Sequence, residues 1–95
     1  MINKYVIVRD DKAGVFFGIL SKKENNELTL TEVRKIYHWS GANTVEDLAM
    51  FGVKNPEDCR ITVKVPLIVL SNFNQILPCS EESIKSLGNV FVWKK

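Results

Sequence analysis

Residues 27–39 read ELTLTEVRKIYHW, a strand-forming run whose period-two pattern changes phase part-way along. Alternate side chains of a strand share a face, so Thr29, Thr31, Val33, Lys35, Tyr37 and Trp39 form one set and Leu28, Leu30, Glu32, Arg34, Ile36 and His38 the other. Apolar character switches from one set to the other near Glu32 and Val33. The switch predicts a bulge or bend there, and a bend of that kind lets a small sheet curl towards a barrel.

Upstream, residues 4–9 and 15–20 are two further β-branched and aromatic runs, separated by Asp10, Asp11, Lys12, Ala13 and Gly14. Two strands joined by a five-residue loop with glycine is the expected arrangement. Gly18 lies inside the second run, where a glycine marks a bulge or a close backbone approach. The polar residues 21–24 lead to Asn25 and Asn26, which suit a hairpin turn into the 27–39 strand. The first three strands therefore form a meander.

Downstream, Val45, Leu48 and Ala49 have helical spacing, with Asn43 and Glu46, or Thr44 and Asp47, as the N-terminal cap pair and Gly52 at the far end. Residues 53–58 read as a loop, and residues 60–65 alternate, placing Ile61, Val63 and Val65 on one face. Residues 67–70 and 73–77 give a further strand or broken pair, with Pro66 and Pro78 marking where the ladder stops or runs at an edge. Ser80, Glu81 and Glu82 start a second short helix through Leu87 to Gly88, and residues 89–93 form a last strand. The fold class is α+β, a mainly antiparallel β-sheet or small partly open barrel with two short helices, in one domain over residues 1–95.

The 95 residues are 45% hydrophobic and 25% charged with a net charge of +2, the composition of an ordinary globular domain. So small an excess of cations disfavours duplex nucleic acid as a partner. The apolar runs are strand-sized, far short of the roughly 20 residues that span a bilayer, and Arg9 to Lys12 stand where a signal-peptide cleavage site would fall. The expectation is a cytoplasmic protein without a membrane segment. Cys59 and Cys79 are far apart in sequence and only His38 could complete a metal set, so they read as two thiols acting as small hydrophobes, with no metal and no cofactor.

Catalysis has few candidates. His38 is the one imidazole, its neighbour Ser40 lacks a nucleophile elbow, and no catalytic residue is assigned. The segment 37–43 is better suited to binding: Tyr37 and Trp39 offer rings for a base to stack on, Ser40, Gly41 and Asn43 precede a helix and suit an anion, and Arg34 and Arg60 could supply charge. The bland alternative makes Tyr37 and Trp39 core aromatics, residues 40–43 a cap, and Trp93 a packing or oligomer contact.

Arg9-x-x-x-Ala13-Gly14-Val15-Phe16-x-Gly18, Tyr37-x-Trp39-Ser40-Gly41-Ala42, Gly52-Val53-x-Asn55-Pro56-x-Asp58-Cys59, Pro78-Cys79 and Val92-Trp93 together resemble a family of small phage-encoded proteins of unknown function. The resemblance carries no assigned activity. By analogy of size and source with phage sponge proteins, it implies a homo-oligomer in the host cytoplasm that sequesters a small nucleotide immune signal as an anti-defence device. Tyr37 and Trp39 would then stack the base, Ser40, Gly41 and Asn43 hold phosphate, and Arg34 or Arg60 neutralise it. The alternative is a protein-interaction module using the same aromatics and residues 90–93.

Overall fold

The computed structural model describes residues 1–40 and 42–92. Six strands and two helices follow in the order β1 Tyr5–Asp10, β2 Gly14–Glu24, β3 Glu27–His38, α1 Val45–Phe51, β4 Arg60–Ile61, β5 Val65–Leu70, β6 Phe73–Pro78 and α2 Glu81–Gly88. One antiparallel sheet holds all six strands, in the order β4-β3-β2-β1-β6, with β5 also paired to β3. This is the α+β, mainly antiparallel architecture that the periodicity predicts.

The phase change in β3 is a bulge. Phe17 faces Arg34 and Ile19 faces Thr31, so Glu32 and Val33 together oppose Gly18 alone. Glu32 takes a positive φ of 49°, and a Cβ on Gly18 would stand 3.0 Å from both the Thr31 carbonyl oxygen and the Val33 Cβ. Glycine is required there because the bulged backbone presses onto it. The bulge re-aims the strand, sending Leu28, Leu30 and Val33 into one core and Ile36 into another.

Those two cores lie on opposite faces of the sheet. Val6, Val8, Phe16, Leu20, Leu28, Leu30, Val33 and Leu70 meet without any helical side chain, with Ile68, Phe73 and Ile76 packed against them. Side chains from β1, β2, β3, β5 and β6 can share one cluster only if the sheet curls around it. The two-residue connection at Ser71 and Asn72 links the edge strands β5 and β6, and among the described residues no ladder closes the gap between them. The sheet is therefore curled but open.

The curl is pinned by Asp10, a buried carboxylate. Its Oδ1 accepts hydrogen bonds from the backbone N–H groups of Lys12 and Ala13, both at 2.9 Å, and its Oδ2 accepts one from the Asn72 N–H at 3.0 Å. Burial alone would raise its pKa, but the three backbone N–H groups and the nearby Lys12 charge outweigh burial and hold the carboxyl below its ordinary value. Asp10 thus joins the β1–β2 turn to the β5–β6 turn.

The convex face is covered by the helices. Ile7, Val15, Phe17, Ile36 and Ile61 of the sheet pack on Val45, Leu48 and Ala49 of α1 and Leu87 of α2. Thr44 caps α1 by accepting from the Asp47 N–H at 3.2 Å, so the second of the two predicted cap pairs is the one used. Ser80 caps α2 by accepting from the Ser83 N–H at 3.0 Å.

A serine seam joins the two helices. Ser80, Ser83 and Ser86 recur at a spacing of three along one side of α2; Ser80 donates to the Met50 carbonyl, Ser83 to Leu48 at 2.6 Å and Ser86 to Val53 at 3.2 Å. The Leu48 carbonyl thus takes Ser83 as a second donor beside the Gly52 N–H at 3.1 Å, and Ser80 supplies the Met50 carbonyl in the last turn of α1. Gly52, with φ 73° and ψ −146°, ends α1 so close to Ser86 that an added Cβ would collide with that side chain.

Three strand expectations are corrected. β2 continues through residues 21–24 to the hairpin instead of stopping at Leu20. The 60–65 strand is broken, with β4 reduced to Arg60 and Ile61 and with Val63 exposed rather than sharing the Ile61 face. The cause is β3, which takes β4 at its 36–38 end and β5 from Leu28 to Val33, while Thr62 bonds Lys35 in between. Of the predicted 89–93 strand, only an isolated parallel bridge between Val92 and Ile61 forms, and Trp93 lies outside the described residues.

Candidate functional site

Tyr37 and Trp39 do not share one face as their alternation predicts. The β3–β4 register shifts between the Ile36–Ile61 pair and the His38–Arg60 pair, so Tyr37 is the extra residue of a second bulge. Ile36 points into the helix-side core, which leaves Tyr37 on the opposite side, and His38 takes the side of its partner Arg60. The next residue, Trp39, turns back and packs against the helix-side core. Tyr37 and Trp39 therefore face apart, a correction with a plain physical cause: a bulge breaks the period of two.

Arg34 is also removed from the expected site. It is buried, its Nε donating to the Thr62 carbonyl at 3.0 Å and its Nη1 to the Leu87 carbonyl at 3.1 Å. Leu87 lies in the last turn of α2, where the helix dipole and unpaired carbonyls favour a cation. Burial lowers the pKa of this guanidinium, and its role is to tie β3 to β4's continuation and to α2. It does not reach a surface phosphate.

Of the remaining expected residues, Arg60 and Asn43 are exposed and Ser40 is half-buried, while Gly41 lies outside the described residues. Asn43 donates its N–H to Asp47 at 3.2 Å, and the Ser40 hydroxyl accepts from Asn55 Nδ2 at 3.5 Å. The two belong to different depressions. One, of about 390 Å³, is lined by His38, Ser40, Glu57, Asp58, Cys59 and Arg60; the other, of about 560 Å³, by Ala42, Asn43, Asp47, Phe51, Lys54 and Glu82. Among the described residues each holds two carboxylates against one Arg or Lys. These described residues give neither depression the cation excess that a phosphate ligand favours.

Of the two thiols, Cys59 lines the first depression and Cys79 lines neither. Cys59 is buried, with its Sγ 3.5 Å from the Ser40 N–H and 3.4 Å from the Asn55 carbonyl. Cys79 is half-buried against the helix-side core, and burial pushes its pKa up to about 11 despite a hydrogen bond with Ser83. Such a thiol stays protonated at neutral pH. Among the described residues no group of three His, Cys, Asp or Glu side chains is placed to hold a metal ion, and no helix is long and apolar enough to cross a membrane.

One cluster at this end of the sheet does stand out. Tyr37 is 44% exposed and shares its side with His38 and Arg60, both exposed. The Val92–Ile61 bridge brings the C-terminal segment alongside β4, setting Phe91, 83% exposed, at the same edge. Sequence reasoning named Tyr37 and Arg60 for a ligand site and included Phe91 in the 90–93 stretch of the alternative interface, though as part of a full strand.

A family model for a domain of unknown function, DUF6948, matches residues 3–87. The chain belongs to the DUF6948 family. No curated protein and no solved structure matches it. The DUF6948 match covers every strand and nearly all of α2, and it stops before Phe91 and Val92, so the aromatic cluster combines residues inside the match with one beyond it.

Proposed function

We propose that this DUF6948 chain is a non-catalytic binding module that meets a protein partner through Tyr37, His38, Arg60 and Phe91. The observation that supports this reading is that Tyr37, His38 and Arg60 are exposed at the β3–β4 pairing, with Phe91 exposed one residue before the Val92 bridge to Ile61. Aromatic residues and arginine are enriched at the energetic centres of protein interfaces, because they bring large contact area and directional hydrogen bonds at modest entropic cost. The chain's net charge of +2 fits no strongly charged partner. The test is affinity capture from the native host with wild-type protein, Tyr37→Ala/Phe91→Ala and the surface control Lys23→Ala. A partner retained by wild type and Lys23→Ala but lost with the folded double variant is the expected result. Equal retention by all three proteins refutes the assignment of this surface.

A second reading keeps the phage-type role of sequestering a small nucleotide signal. It is favoured by the placement of His38, Ser40 and Arg60 in one depression, and opposed by Glu57 and Asp58 in the same depression. A thermal-shift screen against cyclic dinucleotides, cyclic trinucleotides and ADP-ribose isomers separates the two readings. A saturable shift removed by Arg60→Ala supports the nucleotide; no shift with any of them supports the module.

A further inference from the structure

The charge of +2 summed over the chain is unevenly divided. The segments that carry the helices, residues 43–58 and 80–89, hold six carboxylates and two lysines, a net charge of −4, whereas the rest of the chain holds eleven Lys and Arg against five Asp and Glu. Carboxylates in the first turn of a helix complement its dipole, which accounts for Glu46 and Asp47 on α1 and for Glu81 and Glu82 on α2 taken singly. It does not account for their lack of counter-ions. Among the described residues the ion pairs join Lys22 to Glu24 and Lys64 to Glu32, on the sheet, and none of these four helix carboxylates takes part in one.

The same layer exposes large apolar side chains. Phe51 is 59% and Met50 52% exposed at the end of α1. Phe51 lies one helical turn beyond Asp47, so ring and carboxylate share a face of α1, and Glu82 from the first turn of α2 lines the same depression of about 560 Å³. Lys54 is the single cation of its described lining.

We propose that this depression docks a basic amphipathic peptide segment of a partner protein, with an apolar side chain against Phe51 and Met50 and flanking Lys or Arg side chains on Asp47 and Glu82. Charge complementarity selects that occupant. An acidic segment would meet Asp47 and Glu82 as like charges, and an uncharged one would strip water from both carboxylates without replacing it. A free polyamine would meet the carboxylates but leave the ring and Met50 in water. Lys54 opposes the occupant, so reversing its charge tightens the complex.

The test is fluorescence anisotropy of a labelled amphipathic peptide of leucine and lysine titrated with the full chain. Wild type is expected to bind it saturably, with a Kd of roughly 10–100 µM that weakens as salt is added. Two counterpart peptides, one with glutamate for lysine and one with serine for leucine, are each expected to bind at least about tenfold more weakly. Phe51→Ser and the pair Asp47→Asn/Glu82→Gln are expected to lose about tenfold, and Lys54→Glu to gain roughly threefold. Their melting temperatures should stay near that of wild type, since Phe51, Lys54 and Glu82 are exposed and Asp47→Asn keeps the N–H that Thr44 caps. The Tyr37→Ala/Phe91→Ala variant shares no residue with this depression and is expected to bind the peptide as wild type does, so the two surfaces fail independently. A wild type that does not bind overturns the proposal, as does a counterpart peptide that binds equally well or binding that both folded variants, Phe51→Ser and Asp47→Asn/Glu82→Gln, leave unchanged. Sedimentation of the chain alone covers the remaining occupant: self-association that Asp47→Asn/Glu82→Gln abolishes would give the acidic face to a second copy and overturn the peptide.

Discussion

The two faces of the sheet are closed by different means. On the convex face α1 and α2 are fastened by directional polar contacts: the serine seam, Arg34 on the Leu87 and Thr62 carbonyls, and the tight passage at Gly52. On the concave face the sheet closes over its own side chains, and the polar fastening visible there is the Asp10 carboxylate. Close polar fits tolerate little change, whereas a cluster made of exchangeable aliphatic side chains can adjust. The first face should therefore break under small substitutions and the second give way gradually.

The largest effect is expected at Gly52. Gly52→Ala forces a side chain into a backbone region open essentially to glycine and drives its Cβ into Ser86, a combined cost of about 3 kcal/mol. Urea unfolding measures it, and a domain of this size should lose more than about 10 °C of melting temperature. Adding Ser86→Gly should recover part of the loss, since it removes the collision and leaves the strained φ. Full recovery would mean that the backbone relaxes, and the contrast between the faces would weaken.

Arg34→Ala comes next. It leaves the Thr62 and Leu87 carbonyls without their charged donor inside the protein, and about 2–3 kcal/mol should be lost. A loss below about 0.5 kcal/mol would show that water replaces the guanidinium and that the helix layer is held by apolar packing alone. The same unfolding experiment reads both substitutions.

Asp10 tests the concave face, through pH. Its folded pKa lies below its unfolded value, so its contribution is complete above the unfolded pKa near 3.8 and is lost as pH falls through the folded value. Asp10→Asn should cost about 1 kcal/mol at pH 6, and the gap from wild type should close as the pH is lowered below 3.8. A gap independent of pH would assign the effect to geometry rather than charge. The smallest effect belongs to Tyr37→Ala, which leaves no cavity at a side chain so exposed and should change stability by less than about 0.5 kcal/mol.

What the sequence determined by itself is what depends on neighbours along the chain. The meander, the bulge at Glu32 and Val33 with its glycine at position 18, both helices and their caps, and the edge placement of Pro66 all follow from periodicity, capping chemistry and backbone freedom. The tertiary structure decided everything that depends on which segment lies alongside which. β3 is flanked by β4 at one end and β5 at the other, so a run that alternates like one strand is cut at Thr62. The second bulge, at Tyr37, exists only against Arg60 and Ile61, and it sends Trp39 to the core while Tyr37 stays outside. Arg34 reads as a surface cation in a list of residues and becomes a buried tie only when the end of α2 arrives over it. The physical reason is range: side-chain period and caps act within a turn or a few residues, whereas the partners of a buried polar group come from segments up to 62 residues away in the chain.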